Sequence, residues 1–263
     1  MSDEKPAAKE VAAPQRKGQD KRKRKERPIS FEKAFDVETW KPKTELGKRV
    51  KNGEITNIDQ ILDAGMRVME PEIVDILLPE MSIELLMIGQ AKGKFGGGAR
   101  RTFRQTQKKT AEGNKPSFGT FIVVGNSNGY VGLGYGKSKE TVPAREKALR
   151  NAKLNIIKVP RGSGSWQDYG KSANSIPFKT FGKCGSAKIT LLPAPKGTGL
   201  RTASECSKLL NAAGIKDVWS QSEGQTRTTI NLVSACFEAL RNLNKIKVKP
   251  KNIEDLGIVM GAK

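Results

Sequence analysis

Gly136-Lys137-Ser138 closes a stretch, Val123–Glu140 (VVGNSNGYVGLGYGKSKE), that holds five glycines. A lysine and a hydroxyl behind a glycine are parts of a phosphate cradle, in which backbone N–H groups wrap the phosphates and the lysine neutralises them. The spacing forbids it here. G-x-x-x-x-G-K-[ST] ending at Ser138 needs glycine where Val131 stands, and G-x-G-x-x-G begun at Gly132 needs glycine where Lys137 stands. Other chemistry is equally thin. The chain has no histidine, so the commonest general base and transition-metal ligand are missing. The acids after Gln90 are scattered, with only Glu254 and Asp255 adjoining. Cys184, Cys206 and Cys236 lie far apart without a C-x-x-C, which encodes neither a disulfide framework nor a metal knuckle and fits a reducing cytosol. No catalytic residue, metal or cofactor is expected.

Charge gives the stronger signal. Against 27 Asp and Glu stand 48 Lys and Arg, a net charge of +21, so polyanions are the natural partners. The first 28 residues carry 10 basic and 5 acidic groups, Ile29–Gln90 carries 7 and 12, and the remainder carries 31 and 10. The whole excess therefore falls after Gln90. No run of about 18 apolar residues exists and the N-terminus lacks a signal core, so a soluble, unsecreted protein is expected, with no membrane partner.

The elements that must carry these charges follow from pattern. Residues 1–28, around RKGQDKRKRKER, hold almost no large apolar residues and read as a disordered basic tail, either solvated or threaded between phosphates. Residues 29–82 are acidic and helix-like: Thr56 is the expected N-cap of one short helix and Pro71 the start of another that ends at Pro79. This extension is expected to pack against the body or against a protein neighbour rather than to touch RNA. IELLMIGQ and FGTFIVV read as strands separated by a long loop, and NSNG joins the second to YVGLGYG in a hairpin. Ser138 is the expected cap of a following helix to about Lys153, with Ala144, Ala148 and Ala152 on one face. The glycines of the last strand present a bare face, open either to a packed helix or to a sugar-phosphate chain.

The loop between the first two strands, AKGKFGGGARRTFRQTQKKTAEGNKP, carries Arg100, Arg101, Arg104, Lys108, Lys109 and Lys115 with Phe95 and Phe103 interleaved. Such loops suit phosphate grips and base stacking. After a polar linker, PRGSGSWQDYGKSANS, a second unit reads as strand (Lys188–Leu192), loop, helix ending near Gly214, strand (Asp217–Gln221), loop, helix. Ile230, Val233, Phe237, Leu240 and Leu243 form the core face of that last helix. The loops PAPKGTGLR and SEGQTRTTIN each precede a helix, whose N-terminal amides suit phosphates.

NGYVGLGYGKSKETVPAREKALRNAKLNIIKV, SIPFKTFGKCGSAKITLLPAPKGTGL and NAAGIKDVWSQSEGQTRTTINLVSACFEAL together resemble the small-subunit ribosomal protein S5 family in its archaeal and eukaryotic form, over roughly Ile83–Leu243. The resemblance implies an α+β fold of two domains: a double-stranded-RNA-binding-like α/β module over 83–159 and an S5 domain 2-like β-α-β-α unit over 175–245. Residues 160–174 become a linker and 246–263 a C-terminal tail. It implies a structural constituent of the small ribosomal subunit, cytoplasmic, binding 16S-type rRNA, helping to form the mRNA entrance, supporting translational accuracy, and neighbouring ribosomal proteins S3, S4, S8 and S2. QKKTAEG matches the family's loop motif, but Asn114 and Lys115 stand where relatives tend to carry two arginines, and GKFGGGARRTFR looks like an insertion. Ser163, Asp168, Gly170 and Asn174 occupy what look like the places of a zinc site in some archaeal relatives, so zinc is not expected.

The expected RNA-binding residues are Arg100, Arg101, Arg104, Lys108, Lys109, Lys115, Lys137 and Lys139 in the first module. Arg161 and Lys171 serve the linker, and Lys183, Lys196, Arg201, Gln225, Thr226, Arg227 and Asn231 the second unit. Two other classes compete: an RNA-processing enzyme, opposed by the missing histidine, and a free RNA-binding chaperone.

Overall fold

The computed structural model describes residues 39–91, 100–168 and 172–261. The basic tail, Phe95, Gly170 and Lys171 lie outside them.

The β-branched run Phe118–Val124 forms the heart of β3 (Gly113–Gly125), which pairs antiparallel with β4 (Tyr130–Ser138), Phe118 opposite Ser138 and Gly125 opposite Val131. The expected turn joins them. Gly129 takes φ of +96° and Ser127 φ of +57°. Asn126 Oδ1 accepts from the backbone N–H of Asn128 (2.8 Å) and Tyr130 (3.1 Å), a local bond that holds the turn. β1 (Ser82–Leu85) pairs with the last four residues of β3, and β5 (Ile156–Lys158) pairs with β4.

The segment expected to be a long loop is not one. Phe103–Thr110 forms β2, which pairs with β3 from Phe103 opposite Thr120 to Thr110 opposite Gly113. Beyond Phe118 these two strands leave the sheet as a free two-stranded ribbon. Arg104 to Lys109 are all exposed, so the strand lacks the apolar alternation by which half-buried strands are found. Backbone pairing alone defines it.

Helix α4 (Thr141–Leu154) covers one face of this sheet. Ser138 does not cap it: the β4 ladder runs through Ser138, so the chain turns only afterwards and Glu140 takes the cap position without a side-chain bond. Ala144, Ala148 and Ala152 are wholly buried as expected. Below them lie the glycines of β4. A Cβ added at Gly132, Gly134 or Gly136 would collide with the carbonyl of Ala152, Ala148 or Ala144 respectively. The bare face is therefore filled by helix backbone, and the packing alternative holds over the sugar-phosphate one.

Among the described residues three short helices precede the sheet: α1 (Glu45–Lys51), α2 (Ile58–Asp63) and α3 (Pro71–Leu77). Pro71 opens α3 as expected, but Asn57 rather than Thr56 occupies the cap position of α2. Val50, Ile58, Ile61, Ile73 and Val74 bury against Tyr130 and Ile156. Each such side chain contributes about 1.5–3 kcal/mol on burial. Ion pairs fix the register, Lys153–Asp75 at 2.5 Å and Lys158–Asp59 at 3.0 Å, while the Tyr130 hydroxyl donates to Asp59 (2.8 Å).

The second sheet has the order β6 (Thr180–Cys184), β7 (Ala187–Pro193), β9 (Val218–Glu223), β8 (Leu200–Arg201), with β8 parallel to β9. Helices α5 (Ser204–Ala212) and α6 (Thr229–Leu243) complete it. The expected β-α-β-α succession is thus preceded by β6, with β8 as the strand before α5. β6 escaped the pattern because its buried inward residues are Thr180 and Gly182 while its large apolar residue, Phe181, points outward with Lys183. Gly182 admits the backbone of α6 at Ala235, and the Thr180 hydroxyl donates to the Ala239 carbonyl (3.0 Å). Thr120 does the same to Ala144 on α4 (3.0 Å). Phe121, Val123, Val131 and Leu133 on the far face of the first sheet share one core with Leu191, Leu209, Leu210, Val233 and Leu240. Residues 161–163 bond to Ser175, Leu256 and Val259, the last two lying just after helix α7 (Pro250–Asp255). Among the described residues no helix is long and apolar enough to cross a membrane.

Candidate nucleic-acid interface

Register assembles the first basic group. Arg104 stands opposite Gly119 on β3, and Gly119 opposite Lys137 on β4; Lys108 stands opposite Lys115. Partners in a ladder share a face and alternate residues return to it, so Arg104, Lys108, Lys115 and Lys137 line one face of the ribbon and sheet. All four are exposed. Lys137, the lysine of the failed phosphate loop, belongs to this stripe. Lys109 lies on the opposite face of the ribbon, while Arg101 and Lys139 are exposed before β2 and after β4. The ribbon's one acid, Glu112, pairs with Lys115 at 3.0 Å, both largely solvated. Such a pair is worth little and yields readily to a phosphate.

Arg100 joins a second group. Its Nη1 donates to Thr229 Oγ1 (2.6 Å), the first residue of α6. Gln225, Thr226 and Arg227 form the turn before that helix, and Gly224 enters it at φ of +81°. No side chain caps α6; the Thr229 N–H turns back to the Arg227 carbonyl (3.0 Å), which leaves the amides after it and the dipole for an anion. At the same end of the sheet Lys183 stands opposite Lys188, and the Asn231 amide lies beside Gly185 in the turn between them. Like charges directly opposite each other repel, which a bound polyanion would relieve.

The third group lines a cleft of about 700 Å³ bounded by Asn128, Arg161, Asn174, Lys196, Lys216 and Asp217. Arg161 is half-buried; its Nη1 and Nη2 donate to Ser127 and Gly261 carbonyls (both 3.4 Å), and its buried Nε has no hydrogen-bond partner among the described residues. Burial pushes its guanidinium pKa down. In the loop that carries Lys196, the amides of Gly197 and Gly199 both donate to Asp217 Oδ1 (3.1 and 2.8 Å). Asp217 is 5% exposed and consumes the donors. Arg201 lies on β8, exposed and away from this carboxylate's bonds. Lys188 and Lys216 were missed by sequence reading, although each adjoins a residue that was named or quoted.

The family models decide the ancestry. "Ribosomal protein S5, N-terminal domain" matches residues 102–160, and "Ribosomal protein S5, C-terminal domain" matches 182–252. The chain belongs to the ribosomal protein S5 family. Curated relatives named "Small ribosomal subunit protein uS5" are similar along most of their length. That of Nanoarchaeum equitans is 46% identical over 227 residues, 86% of this chain and 97% of the relative. That of Methanocaldococcus jannaschii is 47% identical over 86% and 98%, and that of Methanosphaera stadtmanae 45% over 86% and 92%. The S5 N-terminal match covers the whole ribbon and all of α4, and the C-terminal match covers most of the second sheet with α5 and α6. The S5 family is structural and not enzymatic.

Proposed function

We propose that this chain is a structural constituent of the cytoplasmic small ribosomal subunit that holds 16S-type rRNA through its three basic groups. The observation that carries this is the register row Arg104–Gly119–Lys137 beside Lys108 and Lys115, a basic stripe on a projecting ribbon, in a chain of the S5 family. Its mechanism is electrostatic. Lysines and arginines neutralise phosphates and release counterions, while two sheets sharing one core fix the relative position of the rRNA segments each touches. The first sheet with α4 acts as a double-stranded-RNA-binding-like module over 83–159, and the second as the S5 C-terminal unit over 175–245. The acidic helices α1, α2 and α3, packed against Tyr130 and Ile156, contact protein rather than RNA. Ribosomal proteins S3, S4, S8 and S2 are its neighbours, and with some of them it borders the mRNA entrance and supports translational accuracy.

Sedimentation of a cell lysate at low salt and at about 0.5 M salt tests this, because loosely held phosphate binders lose orders of magnitude in affinity over such a range. Co-migration with the small subunit at both salts is expected. A chain that stays at the top of both gradients refutes the ribosomal role.

A further inference from the structure

Helices α5 and α6 cover one face of the second sheet, and nothing among the described residues covers the other. Ladder partners set out its contents in rows. Lys183, Lys188 and Glu223 form one row; Phe181, Thr190 and Gln221 the next; Leu192, Trp219 and Arg201 the last. Phe181 is 66% exposed and Trp219 39%. Solvating two large aromatics on one rigid face forgoes burial energy that a ligand recovers. Lys183, Lys188 and Arg201 are exposed on it as well, against a single acid, Glu223, which lies 3.4 Å from the Gln221 side-chain amide.

We propose that this open face is a stacking platform for single-stranded RNA, with bases on Phe181 and Trp219 and phosphates on Lys183, Lys188 and Arg201. The inference rests on the rRNA-binding reading above and adds a surface to it. Every base presents a π-face, so aromatics in a basic field accept single strands of any sequence. Phe181 and Trp219 sit two strands and two residues apart, roughly 12 Å at about 4.8 Å per strand and 3.4 Å per residue. Stacked neighbours in a helix are only about 3.4 Å apart, so the strand must be splayed, which a duplex does not permit. The facing pair Lys183–Lys188 favours a polyanion over an apolar protein surface.

The test uses the full chain with a fluorescein-labelled uridine dodecamer and a labelled 12-base-pair RNA duplex, read by anisotropy at about 0.1 M salt. Phe181→Ala and Trp219→Ala each weaken dodecamer binding about tenfold, leave duplex binding within about twofold, and keep the circular-dichroism melt of the parent. The dodecamer also quenches tryptophan fluorescence in the parent, and Trp219→Phe removes most of that quench although Trp40 and Trp166 remain. Unchanged dodecamer binding, or an equal loss on duplex, overturns the platform. If the doubly substituted Lys108→Ala/Lys115→Ala chain still loses duplex affinity in that case, rRNA binding stands and only the platform falls. Normal dodecamer binding with failure of Trp219→Ala to enter small subunits in cells identifies the face as a protein contact instead.

Discussion

Gly134 of β4 lies directly beneath Ala148 of α4, so close that a methyl group on the glycine would occupy the alanine's carbonyl and the backbone of Ala152. Both partners are backbone, and neither can rotate away. Gly134→Ala is expected to cost about 3 kcal/mol through overpacking, lowering Tm by about 6–10 °C for a chain of this size. Lys137→Ala, three residues on and exposed, leaves Tm unchanged. ATP or GTP with magnesium at millimolar concentration adds no stability to the parent, because a glycine face filled by a helix has no room for phosphates. A nucleotide-dependent rise in Tm would reopen the phosphate-loop question.

Lys108 and Lys115 face each other across the ribbon with no core beneath them. Replacing both with alanine removes two phosphate contacts and nothing that folds the chain. The slope of log affinity for duplex RNA against log salt is expected to flatten by about two, with stability held within about 0.5 kcal/mol. Titrations at four or five salt concentrations measure both. An unchanged slope means the ribbon does not touch phosphate.

What the sequence disclosed divides along physical lines. Val233, Phe237, Leu240 and Leu243 of α6 announced a core face because burial imposes the helical period on one segment. The glycines of β4 announced a close approach, and the alanines of α4 a packed face, but which would meet which is a tertiary fact. β2 was invisible for a different reason: a free ribbon buries neither face, so its strand character lies wholly in hydrogen bonds to β3. The same holds for the site. Individual cations could be named from charge and context, whereas the row Arg104–Gly119–Lys137 depends on register between segments more than thirty residues apart. Asp217 read as a strand-end acid and proved to be the partner of two loop amides.

Asp217 therefore shapes the loop that carries Lys196. Removing its carboxylate leaves the Gly197 and Gly199 amides without their acceptor, and both glycines hold left-handed φ values, +88° and +74°. Asp217→Ala is expected to cost about 2–4 kcal/mol, since bonds to a charged acceptor are worth roughly 1.5–3 kcal/mol each and one is replaced in part by water. Asp217→Asn, which keeps an oxygen acceptor, costs less than half as much. Chemical denaturation of the two variants against the parent checks the ranking. Equal losses would mean that the loop depends on the carboxylate's charge rather than on the presence of an oxygen acceptor.

Glu70 ties the start of α3 to the segment before α1. Its Oε1 accepts from the backbone N–H of Lys43 (2.9 Å) and Thr44 (2.6 Å), and the residue is 9% exposed. Burial alone would raise its pKa, but the hydrogen bonds from Thr44, Lys43 and Trp40 outweigh it, and the carboxyl titrates below its ordinary value. The sign follows. A carboxyl that binds protons less readily folded than unfolded adds stability above the unfolded value, about 4.3, and that stability is lost as pH falls through the lower folded value. Glu70→Gln is thus expected to lower Tm at neutral pH, by the equivalent of about 1–2 kcal/mol for weakened charged hydrogen bonds. The gap between parent and variant closes as pH drops from about 6 to 3. Thermal melts across that range decide it: a gap that stays constant would show that the ionised carboxylate is not what holds the helical extension to its place.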